Sequence, residues 1–116
     1  MEKSRDVIII EKILRYCDEI DLAHGEYHHS FEVFQTNPTY KNAVALCLLQ
    51  IGELSGNLSD EFKDLHGTIP WKAIKGMRNV VAHHYGKIDA VTVWETADSD
   101  IEDLRTFCLS VLDQNE

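Results

Sequence analysis

Apolar residues near the start of the chain recur at helical spacing: Ile9, Ile13, Cys17 and Ile20 fall four, four and three apart, with Ile10 and Leu14 beside them. This period lays a broad apolar stripe along a helix from near Ser4 to about Ala23. His24-Gly25-Glu26-Tyr27-His28-His29 breaks the pattern, and Ser30 is placed to cap a short helix carrying Phe31 and Phe34. Asn37-Pro38 then reads as an N-cap with proline in the first turn. The helix it opens is unbroken apolar sequence from Ala43 to Leu49 and continues through Ile51 and Leu54. Apolar around most of its circumference, it is predicted to be the central and most buried element. Gly67 and Pro70 punctuate the next connection, after which Trp71, Ile74, Met77 or Arg78, and Val81 carry a further helix towards His83 and His84. Asp89 is placed to cap a last helix in which Ala90, Trp94, Ala97, Ile101, Leu104, Cys108 and Val111 alternate spacings of four and three, a heptad-like seam. No useful strand-like alternation and no internal repeat interrupts this series. The pattern therefore predicts an all-α, antiparallel up-and-down bundle of four to five helices.

With 116 residues, 44% of them hydrophobic, the chain is long enough for one real core and too short for two, so residues 1–116 are expected to form a single domain. No run of 18 apolar residues occurs, and Met-Glu-Lys-Ser-Arg-Asp leads into a charged helix rather than a signal-peptide pattern. A soluble, cytoplasmic protein without a membrane partner is expected. Cys17, Cys47 and Cys108 are odd in number, widely spaced and set among apolar residues, which favours buried reduced thiols over disulfides or a zinc site.

A net charge of −9 argues at first against a nucleic-acid partner, because phosphate binding leaves a basic footprint. The distribution changes the picture. Between Lys63 and Lys87 there are five cations, Lys63, Lys72, Lys75, Arg78 and Lys87, against Asp64 alone, so this window carries +4 and the remainder −13. One basic zone interrupts an acidic protein.

That zone contains the most informative stretch of the chain, Met77-Arg78-Asn79-Val80-Val81-Ala82-His83-His84-Tyr85. A guanidinium is a permanent fork-shaped donor suited to phosphate, and an imidazole of ordinary pKa about 6.5 moves protons near neutrality. Arg78 and His83 together point to chemistry on a phosphodiester. On a regular helix, however, five residues turn through roughly 140°, whereas Asn79 and His83 differ by only about 40° and Arg78 and Tyr85 by about 20°. One helix does not aim Arg78 and His83 at one point. Either the helix loosens before His83, or two copies meet across a two-fold axis and line a shared cleft. Glu53 is a further candidate, since a carboxylate on an apolar helix is costly to desolvate unless it is paired or faces a cleft. Metal binding by His83 and His84 is disfavoured, because helical neighbours point about 100° apart and no Glu or His stands at ligand spacing. His28-His29 reads as an exposed polar pair in a loop. Nucleophile motifs, glycine-rich phosphate loops and cofactor fingerprints are absent, so no cofactor is expected.

Over nearly its whole length the sequence resembles the HepT-like proteins of the HEPN superfamily, small helical toxins encoded beside a minimal nucleotidyltransferase antitoxin. The resemblance is carried by Asn42-Ala43-Val44, Ile51-Gly52-Glu53, the run from Ile69-Pro70-Trp71 to Gly76-Met77-Arg78-Asn79, and His83-His84-Tyr85-Gly86-Lys87-Ile88-Asp89 leading to Val93-Trp94. Arg78, His83 and Tyr85 occupy the family's signature spacing of arginine, four residues, histidine, one residue, tyrosine. His84 departs from it, standing where relatives often have glycine.

The resemblance implies a metal-independent endoribonuclease whose composite site forms at a homodimer interface, with Arg78 and His83 catalytic and Asn79 and Glu53 supporting. It also implies silencing by the partner enzyme, which transfers AMP from ATP to the motif tyrosine, here Tyr85. The expected partners are a second copy, the nucleotidyltransferase antitoxin and RNA. The alternative is a non-catalytic subunit that binds a nucleotide or the nucleotidyltransferase itself.

Overall fold

The computed structural model describes residues 4–84 and 90–115, the side chains of residues 79–84 excepted. Every element among them is helical: α1 Arg5–Glu26, α2 Phe31–Thr36, α3 Pro38–Gly56, α4 Asp60–Leu65, α5 Trp71–His84, α6 Ala90–Glu95 and α7 Ile101–Gln114, the last two joined by a π-helical segment, Thr96–Asp100. Long helices α1, α3, α5 and the α6–α7 rod form an all-α bundle. Helix α3 is the shared wall, packed on α1 at one side and α5 at the other, while α7 packs on α1.

Three of the predicted caps explain where helices begin, while the fourth, Asp89, lies outside the described residues. Ser4 accepts from the backbone amide of Val7 at 3.1 Å, Ser30 from Val33 at 3.3 Å and Asn37 from Tyr40 at 3.2 Å. Each satisfies an amide that the first helical turn leaves without a partner. The predicted stripe of α1 is its buried face: Ile9, Ile10, Ile13, Cys17 and Ile20 meet Val44, Leu48 and Ile51 of α3 and Ile101, Leu104 and Cys108 of the last rod in one core. The three cysteines lie in it as free thiols, and burial pushes all three upward, Cys47 to about 11 and Cys108 to about 12. Thiols held so far above neutral pH are poor nucleophiles. Among the described residues no helix is long and apolar enough to cross a membrane.

Three features depart from the sequence pattern. Helix α4 is an addition; its N-cap Ser59 accepts from Phe62 at 3.1 Å, and Asp6 of α1 in turn accepts from the Ser59 amide and hydroxyl at 2.8 and 2.7 Å. A six-residue helix is too short to announce itself by period, and this one depends on a tertiary contact to α1. The heptad-like seam is not one regular helix. A π segment widens it after Glu95, with Thr96 Oγ1 donating to the Thr92 carbonyl at its entry, and Val93 rather than Trp94 is the fully buried residue of α6. Such side-chain competition loosens a helical ladder.

The third departure is at the end of α1, which continues past Ala23 because His24 is a core residue. It is 5% exposed, and its Nδ1 pairs with the buried Tyr40 hydroxyl. His28 and His29 follow in the left-handed region, with φ of 58° and 50°, and fold His29 back to stack on His24 at 4.1 Å. His29 Nε2 meets Asp98 of the π segment at 2.5 Å, so this histidine is engaged rather than a plain exposed loop residue. Trp94 closes the cluster edge-on, 5.3 Å from His24 and 5.2 Å from His29.

Burial, followed by the neighbouring His29, holds the His24 pKa below 6.5, against the opposing pull of the Ala97 carbonyl and of Asp21 and Asp98. A histidine depressed in the fold takes up its proton more readily in the unfolded chain. Its stability contribution is therefore present above pH 6.5 and lost as the pH falls through that value towards the folded pKa. Thermal unfolding compared at about pH 7.5 and about pH 5.5 should show a lower midpoint at the acid end, and His24→Gln should shrink that difference. An equal fall in both proteins would contradict the assignment.

Candidate active site

The apolar circumference of α3 is broken on one side by Gly52, Glu53 and Gly56. A glycine inside a helix costs about 1 kcal/mol relative to alanine, so a packing reason is to be expected, and α5 supplies it. A Cβ built on Gly52 would lie 2.6 Å from Arg78 Cβ, 3.0 Å from the Arg78 amide nitrogen and 3.1 Å from the Ile74 carbonyl. The backbone of α3 therefore touches α5 where a side chain would otherwise hold them apart. One turn on, the stem of Lys75 passes over Gly56, its Cε 3.8 Å from where a Cβ would be. Rising numbers on α3 meet falling numbers on α5, so the two helices run antiparallel.

This approach opens a cleft of about 270 Å³ lined by Gly52, Glu53, Gly56, Asn57, Lys75 and Arg78. Glu53 accepts a charge-assisted hydrogen bond from Arg78 Nε. The side chains are 45% and 37% exposed, so the pair is screened by water and adds at most about 1 kcal/mol to stability. Its structural consequence is orientation. Holding the inner nitrogen of a planar guanidinium fixes the plane of the whole fork.

The fold thus brings together two of the sequence-predicted residues, Arg78 and Glu53, on facing helices. Asn79 and His83 lie on α5, whose backbone stays α-helical to His84, but their side chains fall outside the described residues. Tyr85 lies outside the described residues altogether. Of the two ways to reconcile Arg78 with His83, loosening of the helix before His83 does not occur. Positions 78 and 83 of one chain face about 140° apart. Among the described residues no group of three histidine, cysteine, aspartate or glutamate side chains converges as metal ligands.

Gly52 and Lys75 also line the cleft, though the sequence pointed to Lys75 only as one of five cations in the basic zone and to Gly52 only within Ile51-Gly52-Glu53. The signal for Gly52 was its position, a glycine beside a carboxylate in an apolar helix. For Lys75 it was a spacing of three from Arg78, which puts both on one side of α5.

Comparison with known proteins gives the family. Residues 9–111 match the family described as ribonuclease HepT-like. A candidate RNase of Methanocaldococcus jannaschii is 34% identical over 103 residues, covering 88% of this chain and 84% of the relative. A candidate RNase of Caldanaerobacter subterraneus is 33% identical over 108 residues, covering 92% and 94%. A candidate ribonuclease HepT of Thermococcus cleftensis is 37% identical over 75 residues, covering 65% and 68%. No solved structure matches the chain significantly.

Gly52→Ala tests the close approach. The added methyl meets backbone as well as Arg78 Cβ, so no rotamer change relieves it and α5 must move. The expected loss in chemical denaturation is about 1–3 kcal/mol, the range for overpacking. Gly25→Ala, where a Cβ meets nothing within 4 Å, should show no such loss. Equal stability of the two variants would contradict the contact.

Proposed function

The chain belongs to the HepT-like ribonuclease family, and we propose that it is a metal-independent endoribonuclease, the toxin of a toxin–antitoxin pair, acting through a site that two copies build together. The observation that carries this reading is the unbroken helix from Trp71 to His84. A phosphodiester held by Arg78 is out of line with His83 of the same chain, whereas a two-fold axis beside α5 lets the guanidinium of one copy and the imidazole of the other face one phosphate.

In the proposed reaction His83 takes the proton of a ribose 2′-hydroxyl as its oxygen attacks phosphorus. The bond from phosphorus to the 5′-oxygen breaks, that oxygen takes up a proton, and the products are a 2′,3′-cyclic phosphate and a 5′-hydroxyl. Arg78, steadied by Glu53, stabilises the negative charge that accumulates on the phosphoryl oxygens. Asn79, one turn before His83, orients the imidazole. Proton transfer and charge stabilisation both come from the chain's own side chains, so no step calls on a metal. Tyr85 serves as the off-switch. An adenylyl group on its hydroxyl would bring a phosphodiester and a nucleoside to the cleft's neighbourhood, repelling and blocking RNA. The partner that transfers it is the minimal nucleotidyltransferase antitoxin.

The test is cleavage of total cellular RNA by the purified protein in excess chelator, alone and after expression with its genomic neighbour. His83→Ala should lower the rate by roughly 10² to 10⁴, the range for losing a general acid–base group. Co-expression should add an adenylyl mass that Tyr85→Phe lacks. Cleavage at wild-type rate by His83→Ala would overturn the enzyme assignment, and an adduct persisting on Tyr85→Phe would overturn the switch.

A further inference from the structure

The cleft beside Arg78 contains a second cation that none of the roles above uses. Arg78 is matched by Glu53, so that pair is electrically neutral. Lys75 lines the same cleft and forms no ion pair among the described residues. The cleft's formal charge is therefore +1 and rests on Lys75 alone, in a chain whose total is −9. Without it, the cleft would carry no net positive charge.

Its placement is also specific. Lys75 precedes Arg78 by three residues, about 60° round the helix and about 4.5 Å along its axis. On an ideal helix it stands at an angle between Arg78 and position 79. Its exposed side chain runs past Gly56 of α3, Cε 3.8 Å from where a Cβ would be, and lines the cleft. A lysine ammonium is a compact point charge with three donors, suited to a phosphate oxygen without the geometric demand of a fork.

We propose that Lys75 binds the RNA phosphate next to the one held by Arg78, and so draws a single strand through the cleft between α3 and α5. This rests on the ribonuclease reading but is separable from it, because it concerns binding rather than bond cleavage.

The experiment measures the affinity of the full-length protein for a short single-stranded 2′-O-methyl oligonucleotide, which lacks the attacking hydroxyl, across a series of salt concentrations. Each single-strand phosphate contact contributes about 0.7 to the slope of log affinity against log salt. Lys75→Ala should reduce the slope by about that amount and weaken binding several-fold at low salt, with Lys75→Arg keeping the slope. Lys63→Ala removes the same charge from the same basic stretch, but from a residue 4.0 Å from Asp60 on α4, and should leave the slope unchanged. A slope unaltered in Lys75→Ala would overturn the proposal, including the case in which the variant only loses thermal stability because Lys75 merely complements the C-terminal end of α3. Equal slope losses in Lys63→Ala and Lys75→Ala would also overturn it, since net charge alone would then suffice. If binding follows the prediction while cleavage is indifferent to His83→Ala, the ribonuclease reading fails and the Lys75 contact stands.

Discussion

The contact on which this structure turns is the backbone approach of α3 to α5 at Gly52. A separation that leaves no room for a Cβ fixes both the distance between the helices and their register, since Gly52 meets Arg78 and Gly56 meets Lys75. Register decides chemistry. Glu53 follows Gly52 on α3, and it reaches Arg78 because the glycine has already brought that residue's backbone alongside. The ion pair is too exposed to hold the helices together, so causation runs from packing to electrostatics.

The same approach gives the two sides of α5 different tasks. One side is committed to α3 through Ile74, Lys75 and Arg78. Position 83 is turned about 140° from Arg78 by an unbroken helix. The remainder of the fold serves as scaffold: α1 and α7 complete the core behind α3, and the far end of the bundle is closed by the His24, Tyr40 and Trp94 cluster.

Much of this was legible in the sequence, for reasons that are local. The stripe of Ile9, Ile13, Cys17 and Ile20, the Asn37-Pro38 helix start and the apolar run of α3 each express a period or a cap within a few residues, and such signals survive folding unchanged. A carboxylate on the apolar α3 pointed to Glu53 for the same reason. The remainder depends on partners distant in the chain. Ser59 caps a helix whose start is held by Asp6, 53 positions away. His24 looks like the beginning of a loop until Tyr40 and Trp94 surround it. The π segment follows from local helix irregularity that an alternation of three and four does not reveal. Angular arithmetic left two routes open for Arg78 and His83, and only the path of the α5 backbone removed one of them.

The composite site proposed for Arg78 and His83 spans two copies. Subunit mixing of Arg78→Ala with His83→Ala addresses it directly, each variant being prepared alone and the pair then unfolded and refolded together. If a site takes its arginine from one protomer and its histidine from the other, random pairing makes half the dimers mixed, each with one intact site of two, and RNA cleavage should recover to about a quarter of the wild-type rate. If both residues of a site belong to one chain, neither protomer of a mixed dimer carries both, and the mixture should remain as inactive as the separate variants.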